Sequence, residues 1–182
     1  FTEMPDAVQS SIRIGWKGVG KNHPDFPGLQ IANTILGGYF GSRLMRNIRE
    51  DKGYTYSIGS IAGALRFAGF ITIITEVAND YRDKTIEEII KEVRLMRDKE
   101  PSDEEMIMVR NQMMGEMARA FDGPFALAEC LRGVLDHGLT VDYYRNFEET
   151  VKTISPDKIK AIAVRALLKV CPELSSIAGT KH

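Results

Sequence analysis

Two cysteines and three histidines in 182 residues leave little material for metal or redox chemistry. Cys130 and Cys171 form no C-x-x-C pair and fix no redox compartment; alone, each reads as a small, half-buried hydrophobe. His23, His137 and His182 share no helix turn, and neither H-E-x-x-H nor H-x-x-E-H occurs. A zinc hydrolase site needs two histidines on one helical face plus a carboxylate, so this chain cannot build one by itself. A surplus of either charge is also missing. The 24 Lys and Arg are mixed with 25 Asp and Glu, for a net charge of -1, and no basic stripe emerges for nucleic acid. No apolar run approaches the roughly 20 residues that a membrane helix needs. The chain opens FTEMPDAVQS, without an initiator methionine or a signal peptide. It reads as a piece of a longer protein, which leaves the compartment open.

What is present is ordinary for a soluble globular protein: 43% apolar and 27% charged residues, enough for one domain spanning residues 1–182. Val8, Ile12, Ile14 and Trp16 alternate with polar residues, which predicts a strand covered on one face. Ile31, Ala32, Ile35 and Leu36 form a helical stripe that stops at Gly37-Gly38. Ser42 is placed to cap a second helix carrying Leu44, Met45 and Ile48. Two strands should follow, from Tyr54 to about Ala64 and from Phe67 to about Val77, joined as a hairpin.

The second half is helical. Ile86, Ile89, Ile90, Val93 and Met96 space one amphipathic helix. Pro101 breaks it, and Ser102 with Glu105 opens the next through a capping box. Met106, Val109, Met113 and Met117 mark its buried side. Leu127, Leu131, Val134 and Leu135 mark a further helix closed near Gly138, and Tyr144, Phe147, Val151 and Ile154 a short one. Ser155-Pro156 starts a last helix over SPDKIKAIAVRALL, and Glu173 to Gly179 should be a final strand. The order predicts an α+β fold: an antiparallel sheet covered on one face by helices.

Few motifs carry chemistry. LGGYFGSR (Leu36 to Arg43) matches no phosphate loop and fits a tight turn between helices better. No G-x-S-x-G occurs, and the acid pairs Glu87-Glu88, Glu104-Glu105 and Glu148-Glu149 are sequence neighbours that diverge on a helix. Arg49 and Tyr56 remain, seven residues apart across the corner NIREDKGYTYSIGS. Each has a plain architectural reading: an arginine offsetting a helix C-terminus, and a packed strand tyrosine. Together they can aim two donors at one point.

The stretch LGGYFGSRLMRNIREDKGYTYSIGS (Leu36 to Ser60) resembles a signature of the pitrilysin/insulinase zinc peptidases, in their second, metal-free domain. Leu36-Gly37-Gly38, Ser42-Arg43-Leu44, Ile48-Arg49-Glu50, Gly53 and Tyr56 fall on that pattern. Ile48 replaces the usual leucine, and Tyr54 stands where leucine is common, which makes Tyr54 a rival for any role given to Tyr56. The order of strands and helices follows the same family over nearly the whole chain.

The resemblance implies the substrate-binding, non-zinc domain of a metalloendopeptidase that closes over its peptide as half of a two-domain cavity. Zinc would then belong to a partner domain or subunit, with no cofactor in this chain and no activity expected of it alone. Arg49 and Tyr56 would bind the substrate backbone near the scissile bond and support the transition state, with Gly53 making the turn between them. The alternative is a non-catalytic structural or assembly subunit of the same fold, and the retained arginine–tyrosine pair favours the peptidase.

Overall fold

The computed structural model describes residues 2–4, 6–167 and 176–179. Five strands form one sheet in the order β1-β5-β2-β4-β3, where β1 is Thr2–Glu3, β2 Gln9–Gly18, β3 Ile58–Leu65, β4 Ala68–Ala78 and β5 Ser176–Gly179. β2, β3, β4 and β5 pair antiparallel; β1 runs parallel to β5. Leu65 pairs with Ala68 across Arg66-Phe67, so the expected hairpin forms with a two-residue turn.

Period-two patterning decides the inner face. Ile12, Ile14, Ile58, Ala62, Ile71, Ile73 and Val77 are buried against the helices, and Trp16 packs there half-buried. The other face has no helical cover among the described residues and exposes Ile61, Leu65 and Phe70. Val8, expected inside, is 83% exposed. It precedes β2, where a turn closed by Ala7 N–H donating to the Met4 carbonyl swings the chain off the inner face. The first inward position is Ser10, fully buried because its hydroxyl donates to the Asn79 side chain at 2.8 Å.

The helices are α1 (Phe26–Asn33), α2 (Arg82–Asp98), α3 (Asp103–Ala120), α4 (Pro124–Leu135), α5 (Asp142–Thr153) and α6 (Pro156–Leu167). α6 packs against both α1 and α2, which reach the sheet at β3 and β4, and α5 packs on α1 and α3. The stripe on α2 is buried as its spacing predicts: Ile89, Val93 and Met96 are each 1% exposed. The capping box of α3 is complete, since Glu105 N–H donates to Ser102 Oγ and Ser102 N–H to the Glu105 carboxylate. α4 departs from expectation. Val134 is buried, but Leu127, Leu131 and Leu135 are exposed, because nothing among the described residues covers their face. Periodicity reveals an apolar face without saying what lies on it. Cys171, His182 and the segment 173–175 of the expected last strand lie outside the described residues.

Candidate functional site

Two π-helical segments frame the corner: Thr34–Gly38, which continues α1, and Met45–Asp51. Gly37 is required where the first meets the sheet. A Cβ there would stand 2.6 Å from Ser60 Oγ and 2.8 Å from Ser60 N, closer than any side chain tolerates. The second segment ends on Gly53 at φ +65°, a left-handed conformation that glycine takes without strain. Lys52, Gly53 and Tyr54 N–H groups donate to the Asn47, Arg49 and Ile48 carbonyls, closing the turn. The expected Ser42 cap is absent. Its carbonyl accepts from Arg46 N–H, but its hydroxyl is buried without a partner among the described residues.

Side chains fix this segment to two helices. Arg43 grips the Glu105 carboxylate through both Nε (2.6 Å) and Nη2 (2.9 Å), with the two side chains only 13% and 15% exposed. Burial tends to raise the pKa of Glu105, but donation from Arg43 and Ser102 and the positive charges of Arg43 and Arg46 outweigh it and hold the carboxyl below its ordinary value. Asn47 donates to Glu88 (2.9 Å) and Glu92 (2.6 Å) on α2. That donation, with Lys91 and Lys52 nearby, also lowers the pKa of Glu88. Arg43 and Asn47 therefore spend donors on holding the corner to α3 and α2.

The Tyr54–Ser57 stretch is not strand, although its alternation predicts one; β3 begins at Ile58. Thr55 is the reason. Its hydroxyl accepts from Ser57 N–H and lies 2.6 Å from the Glu76 carbonyl, and Thr75 Oγ1 bonds it at 3.0 Å. A side chain that satisfies its own backbone in this way competes with ladder pairing. The two tyrosines consequently do not share a strand face. Tyr54 packs against the core and stacks on Tyr81 with ring centres 4.8 Å apart. Tyr56 is 86% exposed.

Tyr56 meets Arg49 instead. The guanidinium carbon of Arg49 lies 5.3 Å from the Tyr56 ring centre and 4.6 Å from that of Phe40, itself exposed. Such contacts steady a cation while leaving its N–H groups free to donate. Among the described residues no carboxylate pairs with Arg49 and no hydrogen bond engages the Tyr56 hydroxyl. Sequence patterning missed Phe40, Thr55 and Thr75; an exposed aromatic between glycines at Tyr39-Phe40-Gly41 was the available signal for the first. A hollow of about 510 Å³ beside the loop is lined by Tyr54, Tyr56, Ser57, Glu76 and Tyr81.

Two other modes of action are closed at this site. The β3 edge is occupied by α1 and its continuation: Gln30 donates to the Ala62 carbonyl and Asn33 to the Ser60 carbonyl, while Ser60 donates back to Asn33. Among the described residues no three His, Cys, Asp or Glu side chains converge on one point, so they do not fit a zinc ion.

The sequence profile of the peptidase M16 inactive domain matches residues 1–113. The chain belongs to that family. Similar relatives are an uncharacterized zinc protease of Bacillus subtilis, 27% identical over 117 residues, and one of Rickettsia felis, 29% identical over 116. These matches cover 64% and 63% of this chain but 29% and 28% of the relatives, so the chain spans under a third of their length. The fold is that of a peptidase M16 inactive domain from Pseudomonas fluorescens, with TM-score 0.86 at 20% identity over all of this chain and 43% of that one. The inactive peptidase domain of a zinc protease candidate from Bordetella parapertussis superposes with TM-score 0.78 at 18% identity, covering 90% of this chain and 88% of that one.

Proposed function

We propose that this M16 inactive domain is the substrate-binding, metal-free part of a zinc metalloendopeptidase, closing on a peptide held by a zinc-bearing domain of the same chain or of a partner subunit. The observation that carries this reading is the contact between half-buried Arg49 and exposed Tyr56: two donors on one corner whose hydrogen-bonding capacity nothing among the described residues spends. Zinc, when bound by the other domain, supplies Lewis-acid chemistry. This chain's own residues bind and orient. The Arg49 guanidinium offers a forked donor to a peptide carbonyl, and the Tyr56 hydroxyl donates to an oxygen that gains negative charge. The hollow beside Tyr56 receives a substrate side chain.

The test is Arg49→Ala with Tyr56→Ala in the assembled protein, measured for peptide hydrolysis and for zinc content. The reading requires kcat/KM to fall at least a hundredfold with zinc content unchanged. Normal hydrolysis would leave the domain a structural role alone.

A further inference from the structure

A second concavity lies at the far end of β3. Tyr56 lies two residues before that strand and Arg66 directly follows it, so the eight-residue strand, roughly 25 Å long, separates the two places. The cavity holds about 750 Å³, within the size range of small-ligand sites. Its walls are largely apolar, with Phe26, Met117, Phe121, Tyr143 and Phe147 around Lys21.

Lys21 is the unusual member. Its ammonium donates to the Gly133 carbonyl at 2.8 Å and stands 5.0 Å from the Tyr143 ring centre and 5.9 Å from that of Tyr144. No carboxylate pairs with it among the described residues. Burial lowers its pKa, with a smaller opposing effect from Cys130, as expected of a cation short of a counter-ion. The remaining charges do not supply one. Asp136 is engaged by Arg132, which also binds Glu129, and Arg66 adds a second cation stacked on Phe67. Tyr144 spends its hydroxyl on the Cys130 carbonyl. The Tyr143 hydroxyl has no partner among the described residues, and burial pushes its pKa well up, so it stays a donor.

We infer that this cavity binds a carboxylate carrying an apolar body, with Lys21 and Tyr143 meeting the anion and the aromatic walls enclosing the rest. The same chemistry describes a free alkyl or aryl acid and the C-terminal residue of a peptide that ends in an apolar side chain. The site is independent of the Arg49–Tyr56 corner.

Calorimetry on the 182-residue chain tests this with decanoate against decanol, and with a tripeptide ending in phenylalanine as free acid against its amide. At least one acid should bind ten or more times tighter than its uncharged counterpart, the margin expected of a charge-assisted contact. The tighter of the two acids identifies the source. Lys21→Met, which keeps the apolar stem, should erase that preference. Ala120→Trp, at the exposed rim, should weaken acid binding tenfold by filling the cavity, and it decides alone if Lys21→Met does not fold. Arg49→Ala should change nothing here, which separates this site from the proposed peptidase role. Absence of acid binding overturns the inference, as does a preference that survives Lys21→Met or binding untouched by Ala120→Trp.

Discussion

Arg49 and Tyr56, seven residues apart, are brought into contact by one left-handed glycine, with the guanidinium 5.3 Å from the phenol ring centre. Nothing else in the described structure uses either group for hydrogen bonding, so their removal separates function from stability. In the complete protein Tyr56→Phe keeps the ring against Arg49 and removes only the hydroxyl, which tests the proposed peptidase role. If that hydroxyl steadies a developing oxyanion, kcat should fall with a loss of about 2.7–4 kcal/mol of transition-state stabilisation. A rise in KM at unchanged kcat would mean that it holds the peptide only in the ground state. The melting temperature should stay within about 1 °C, since an exposed substitution is worth at most a few tenths of a kcal/mol. Tyr54→Phe, the control, leaves the stack on Tyr81 intact and should be silent.

Phe40 should matter to the pair although it offers no polar group. Its ring lies 4.6 Å from the Arg49 guanidinium, nearer than Tyr56. Phe40→Ala loosens the arginine without altering its charge, removing roughly 0.5–1 kcal/mol of exposed cation–π contact. Substrate KM should rise a few-fold while folding is unchanged. Kinetics identical to the parent would show that the tyrosine ring alone positions Arg49.

Gly53→Ala tests the corner itself. Glycine's freedom is needed there because φ is +65°, while a methyl group would meet nothing within 4 Å. The cost is therefore conformational, about 1–2 kcal/mol. For a domain of this size that lowers the melting temperature by roughly 2–8 °C, and the proposed peptide hydrolysis by the assembled protein should fall with it as Arg49 and Tyr56 separate. An unchanged melting temperature would contradict the geometry of the turn.

Hydrophobic periodicity was enough to predict the helical layer and the inner sheet face, because burial there follows directly from spacing. Ile12, Ile14, Ile71 and Ile73 are where alternation puts them. It failed where polar side chains compete with regular structure. Tyr54, Tyr56 and Ile58 alternate as a strand does, yet the Thr55 hydroxyl takes the backbone out of the ladder. Val8 fails for a different reason: a backbone turn, Ala7 N–H to the Met4 carbonyl, redirects the chain just before it. The motif from Leu36 to Ser60 pointed to Arg49 and Tyr56, but Phe40 is invisible to any pattern of burial because its partner is a charge. Leu127, Leu131 and Leu135 show the limit from the other side: an amphipathic stripe predicts a helix, and only the structure shows that the stripe is bare.

The purified chain should hold no stoichiometric zinc. Its sequence contains no paired-histidine motif, and no suitable donor cluster exists among the described residues. Elemental analysis after dialysis that found about one zinc per chain would overturn this.

The Arg43–Glu105 pair should be the acid-sensitive fastening of the corner. Arg43→Ala removes two hydrogen bonds to a largely buried carboxylate, at a cost of about 2 kcal/mol near neutral pH, or roughly 4–8 °C in melting temperature. The folded-state pKa of Glu105 lies below its ordinary value of 4.5, so the stabilisation is complete above that value and disappears as pH falls through the lower, folded value. The gap between the parent and Arg43→Ala should accordingly be constant from pH 7 to about 5 and close in stronger acid. Glu105→Gln should remove the same acid-sensitive component from the opposite partner, along with the negative charge at the start of α3. A gap that persisted undiminished at pH 3 would mean that Arg43 acts through the packing of its stem and not through its charge.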